Sequence, residues 1–152
     1  MRLTANKRIF IPAAAALLAL VCACATGPRH GELDLRAGKA LYESGDYIAA
    51  AADFDRIIAS RPDADIEAAA YAGLGASYMA MHNYGQALTT YRLAVKLHPK
   101  KAQLMLRLAA LYYRLELYPE SIEVYKTALR LEPDNVAANL GIARTYMRSG
   151  YL

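Results

Sequence analysis

Cysteine is nearly absent from this chain: of 152 residues, only Cys22 and Cys24 carry a thiol, and one residue separates them. Two cysteines so close in sequence cannot staple a fold. A single C-x-C with no second cysteine or histidine pair at ligand spacing argues against a zinc or iron–sulfur framework. Histidine is equally scarce; His30, His82 and His98 share no helix face, so neither a metal nor another cofactor is expected. No glycine-rich phosphate loop, nucleophile elbow or facing carboxylate pair occurs, which argues against an enzyme. Also missing is an apolar run of membrane-spanning length. Ile9 to Val21 gives thirteen such residues with Pro12 among them, where a spanning helix needs roughly 20. Acidic residues are absent from one long stretch: positions 68–115 hold Arg92, Lys96, Lys100, Lys101, Arg107 and Arg114 without a single Asp or Glu.

The short apolar run has a meaning of its own. Arg2, Lys7 and Arg8 precede it and small residues follow, the three-part layout of a secretory signal peptide, with an uncleaved anchor as the lesser alternative. Export is therefore expected, and two cleavage schemes fit. Val21-Cys22-Ala23-Cys24 resembles the bacterial lipoprotein box, which implies that residues 1–23 are removed and that Cys24 receives the lipid. That resemblance also implies the periplasmic face of the outer membrane, because Ala25 in second place is no retention signal for the inner membrane. The alternative is an ordinary A-x-A site, Ala23-Cys24-Ala25, which would remove both cysteines and leave a soluble periplasmic protein. Residues 24–32, with Gly27, Pro28 and Gly31 and no apolar periodicity, read as a tether.

From Leu33 onward the composition is helical and apolar residues recur at three and four spacing. Self-similarity is the stronger signal. Tyr78, Tyr112 and Tyr146 stand 34 apart, as do Tyr91 and Tyr125, Ala94 and Ala128, and Pro99 and Pro133. Tyr71, Leu74, Gly75 and Tyr78, followed by Ala87, Tyr91, Ala94 and Pro99, give the best copy; on these residues residues 33–152 resemble the tetratricopeptide repeat (TPR) family, with Tyr71 where the motif has Trp. Copies fall near 31–64, 68–101 and 102–135, with a partial copy at 136–152. Three residues are inserted between the first two, around Asp65 to Glu67. The resemblance implies an all-α helix-turn-helix solenoid of about 3.5 repeats: seven helices near 33–44, 47–60, 67–81, 84–97, 101–115, 118–131 and 136–149, paired antiparallel in a right-handed superhelix. Gly75, Ala109 and Ala143 are expected to be small because the second helix crosses there. Pro62, Pro99 and Pro133 are expected to end second helices, and most of the twelve tyrosines to pack in the core. The last copy ends Ser149-Gly150-Tyr151-Leu152, much like the turn Ser44-Gly45-Asp46-Tyr47 of the first, which raises the expectation of a longer array.

In this family partners dock on the concave surface lined by first helices. Here that surface should carry Leu35, Lys39 and Tyr42; Ala72, Ala76 and Met79; Leu106, Ala110, Tyr113 and Arg114; and Leu140, Arg144, Met147 and Arg148. Such a groove suits a helix or extended peptide, unless some of these side chains pack between helices instead. Members that bind chaperone tails clamp a terminal carboxylate with Lys, Asn and Arg, a pattern from which Ala72, Ala76, Leu106 and Ala110 depart. From Cys24 on the chain has 15 basic and 14 acidic residues, so nucleic acid is not an expected partner. The acid-free stretch offers an anionic contact through Arg92, Lys96, Lys100 and Lys101, or is a set of solvated helix faces. The leading expectation is an interaction scaffold anchored in the outer membrane, similar to the TPR lipoproteins that support pilus (tight-adherence or type IV) and secretin assembly. The alternatives are a soluble periplasmic peptide- or glycan-binding module, or a TPR segment of a larger protein.

Overall fold

The computed structural model describes residues 30–150, with side chains from Asp34 onward. The signal segment, Cys24 and the tether as far as residue 29 lie outside the described residues. Seven helices follow in order: α1 (His30–Glu43), α2 (Tyr47–Ala59), α3 (Ala64–Ala80), α4 (Tyr84–Leu97), α5 (Ala102–Arg114), α6 (Tyr118–Leu131) and α7 (Val136–Ser149). No strand occurs among the described residues.

Local chemistry sets most helix starts. Asp46, Asp63, Asn83 and Asn135 cap α2, α3, α4 and α7, each side chain accepting from the backbone N–H three residues on, contacts typically worth about 1 kcal/mol apiece. The α6 start has no such cap and carries Pro119 in its first turn instead. Two starts depart from the periodicity. The three inserted residues make no loop: α3 begins at Ala64 rather than 67, because Asp63 caps it and Asp65 and Glu67 sit in the first turn, where the helix dipole favours acids. Helix α1 begins at His30, so it absorbs the last residues of the stretch read as a tether.

The turns inside the helix pairs repeat one geometry. Gly45 N–H donates to the Tyr42 carbonyl and Asp46 N–H to that of Leu41; His82 with Asn83, and Glu116 with Leu117, repeat the pattern. This closure needs a left-handed residue, and φ is +88° at Gly45, +57° at His82, +60° at Glu116 and +72° at Gly150. Two copies thus place a side chain where glycine is at ease. Glu116→Gly should therefore raise stability by about 1 kcal/mol, read from the urea midpoint, whereas Glu116→Ala, which keeps the Cβ, should not.

Each helix packs on its chain neighbours, and α1 also touches α3, α3 touches α5, and α5 touches α7. The second helices α2, α4 and α6 do not touch one another. First helices therefore form an inner row and second helices an outer one, so the concave side belongs to α1, α3, α5 and α7.

One buried aromatic from each second helix is driven between two first helices. Phe54 lies between Gly38 and Gly73, where an added Cβ would come within 2.9 and 2.3 Å of its ring. Tyr91 abuts Gly75 and feels the charge of Arg107; Tyr125 abuts Gly141 and packs in one cluster with Ala109. Gly73, Arg107 and Gly141 are themselves 34 apart. Every wedge thus has a glycine on at least one side.

One packing expectation needs correction. Ala143 is exposed, because no described helix crosses it as α4 crosses Gly75 and α6 crosses Ala109. The tyrosines divide: Tyr71, Tyr91 and Tyr125 are buried, Tyr78, Tyr84 and Tyr112 are half-buried against the core clusters, and others pair nearer the surface, as Tyr42 does with Tyr47 and Tyr113 with Tyr118. A phenol keeps its hydroxyl wet while its ring covers apolar surface.

Candidate concave binding surface

At the N-terminal end of the concave side a cavity of about 320 Å³ is floored by Phe54, Ala69, Ala72, Gly73 and Ala76 and rimmed by Lys39, Tyr42, Glu43, Gln103 and Arg107. Gly73 puts no side chain between the cavity and the buried Phe54 ring, so the floor lies low. A second depression of about 270 Å³ follows, lined by Met79, Ala110, Tyr113, Arg114, Tyr125, Gly141 and Arg144. A third, of about 290 Å³, shares Tyr113 and Arg144 with it and adds Met147 and Arg148. The three form a track across all four first helices.

Of the residues expected on this surface, Lys39, Tyr42, Ala72 and Ala76 meet in the first cavity, and Met79, Ala110, Tyr113, Arg114, Arg144, Met147 and Arg148 in the other two. Leu35 and Leu106 instead lean on the core clusters around Phe54 and Tyr125. Leu140 lines none of the three; it is exposed with Val136 and Met147 on α7. Sequence reasoning passed over Phe54, Gly73, Arg107, Tyr125 and Gly141 as groove residues. Their signal was available: Gly73, Arg107 and Gly141 repeat at the same 34-residue spacing as the motif. What was not visible is that a glycine in a first helix lets an aromatic of the second pack directly beneath the groove.

Arginines on this surface are held by tyrosines. The Arg114 Nε donates to the Tyr84 hydroxyl at 3.2 Å while its guanidinium carbon lies 5.4 Å from that ring's centre. Arg144 lies 5.3 Å over the Tyr113 ring, and Tyr118 raises the Arg148 guanidinium above its ordinary value. The Arg107 charge acts on the Tyr91 phenol, while the Arg107 Nε is buried without a partner. Burial raises the Tyr91 and Tyr125 phenols above their ordinary value, more than Arg107 and Arg144 respectively lower them. The sign follows directly: above about pH 10 the unfolded chain gives up these protons before the folded one does, so stability falls as pH rises past that point. Urea midpoints at successively higher pH should show the loss, and Tyr91→Phe should flatten the curve.

The anionic-contact residues lie elsewhere. Arg92 and Lys96 are exposed on the outer helix α4, Lys100 is exposed in the turn after it, and Lys101 is paired with Asp65. His98, also at that turn, is nearly buried with its Nε2 3.1 Å from Glu67, which ties the end of α4 to the start of α3. Among the described residues no group of three His, Cys, Asp or Glu is placed to hold a metal ion, and no helix is long and apolar enough to cross a membrane.

The family model described as tetratricopeptide repeat matches residues 11–65, 72–136 and 109–150. No curated protein matches the chain. Among solved structures, the first TPR domain of human RPAP3 superimposes with a TM-score of 0.72 at 19% identity, over 82% of this chain and 96% of that one. The first TPR of Spaghetti (RPAP3), solved with the HSP90 peptide SRMEEVD, gives 0.68 at 18% identity, over 79% and 93%. MamA from Desulfovibrio magneticus RS-1 gives 0.66 at 25% identity, over 79% and 66%.

Proposed function

This chain belongs to the tetratricopeptide repeat family, whose fold serves as a non-catalytic interaction module, and on that premise we propose that it is a docking scaffold of the bacterial envelope, taking a peptide segment of a partner protein in its concave groove. The observation that supports it most is the floor of the track. Ala69, Ala72, Gly73, Ala76, Ala110 and Gly141 are small, so a peptide backbone reaches the helices closely, and the buried Phe54 ring packed directly beneath Gly73 makes the base of the first cavity apolar. A structure of the same fold holds a peptide, SRMEEVD, in the case of Spaghetti. The envelope setting rests on the sequence alone, on the signal layout and the box ending at Cys24. In this reading the lipid at Cys24 holds the domain to the periplasmic face of the outer membrane, where the groove recruits components of an assembly such as a pilus or secretin.

Two measurements test the two halves. Mass spectrometry of the mature chain should show a diacylated, N-acylated Cys24; a free N-terminus at Thr26 would replace the anchored scaffold with a released periplasmic one. For the groove, Ala76→Trp and Ala110→Trp should each cut partner capture from envelope extracts at least about tenfold without loss of helical signal. Undiminished capture by both variants would overturn docking in the groove.

A further inference from the structure

We infer that the C-terminal half of the groove is built for an acidic segment: an extended stretch of a partner whose side-chain carboxylates, at every second position, meet Arg114, Arg144 and Arg148. The inference rests on the groove reading above and adds the chemistry of the ligand. Arg114 and Arg144 line one depression, Arg144 and Arg148 the next. Ion pairs among the described residues engage Arg56, His98, Lys101 and Lys126, and none engages these three arginines. Glu116 is the acid whose field Arg148 feels, and it stands beyond ion-pair distance.

Three cations converging without an acid would repel one another, and the structure offsets this with tyrosine. The Tyr84 and Tyr113 rings steady Arg114 and Arg144, and apart from the Arg114 Nε that donates to Tyr84 their N–H groups remain for a carboxylate. Spacing agrees with an extended ligand. Arg144 and Arg148 are one helical turn apart, about 6 Å along α7, and alternate side chains of an extended strand are about 6.8 Å apart. The residues between the acidic ones then point away from the arginines, and the ligand backbone lies close over the small Ala110 and Gly141.

The test uses two labelled decapeptides with amidated C-termini, one alternating leucine with glutamate and the other leucine with glutamine, followed by fluorescence anisotropy against the full chain. At low salt the glutamate peptide should bind at least about tenfold more tightly, and that advantage should shrink as salt shortens the Debye length. Arg144→Gln and Arg148→Gln should each cost at least about fivefold for the glutamate peptide and leave the glutamine peptide unchanged. Arg92→Gln and Lys96→Gln on the outer helix should change neither. No binding of the glutamate peptide, equal binding of the two peptides, or equal losses from outer and inner variants would overturn the inference. Ala110→Trp separates the two readings. If the peptides bind equally and this variant abolishes both, the acidic specificity falls and the groove stands; if it displaces neither, the groove itself falls.

Discussion

Phe54→Ala is expected to destabilise the protein by about 3–5 kcal/mol, the range for truncating a fully buried aromatic. The ring is 1% exposed and fills the space between α1 and α3 where Gly38 and Gly73 have no side chains. Neither glycine can move a side chain into the void, so the site collapses poorly. The same ring is the floor of the first cavity, so the truncation also deepens the groove. Urea unfolding measures the first effect. The second should appear as a changed preference for the size of an apolar residue in a bound peptide. A loss below about 1 kcal/mol would mean that the wedge is not the keystone of the first copy. Because each copy packs mainly on its neighbours, so large a local loss should also split the transition, with α1 and α2 melting before α5 to α7.

Gly75→Ala is the second large effect, and it carries a rescue. A Cβ at Gly75 would stand 2.3 Å from the Tyr91 ring, and overpacking of this kind costs about 1–3 kcal/mol. The third copy shows why the ring cannot simply step aside. There Ala109 occupies the equivalent place, and Tyr125 has Gly141 on its other side to lean into. Tyr91 has Arg107 instead, whose charge acts on the phenol and whose Nε is buried. The double variant Gly75→Ala with Arg107→Gly recreates the Ala–aromatic–Gly arrangement of the third copy. It should recover about half or more of the loss, although Gly alone costs about 1 kcal/mol in a helix. Additive losses in the double-mutant cycle would show that the two positions do not bear on one ring.

These two cases mark how far the sequence could be read. The 34-residue spacing of Tyr78, Tyr112 and Tyr146 placed the helix pairs, and the Asp and Asn caps with the Gly45 turn are local enough to be legible residue by residue. The insertion was located correctly and misassigned in structure, since its acids extend α3 rather than open a loop. Residues one step past the repeat core, such as Ala72, Ala76 and Ala110, line the depressions as the repeat suggests, whereas Phe54 and Tyr125 come to lie beneath the floor only through packing against glycines of another helix.

By itself, then, the sequence determined the elements and their order, because capping, periodicity and turn closure depend on residues within one helical turn of each other. Which side chain stands beside which across 16 to 34 residues depended on the tertiary structure. Only there does a missing Cβ at Gly73 make room for the Phe54 ring beneath the groove, and only there do Arg114, Arg144 and Arg148 line adjoining depressions beside tyrosines and without an ion pair. The physical reason is that a contact between helices is fixed by the shapes of both surfaces at once, and a repeat in the sequence describes each surface without stating how deeply they interlock.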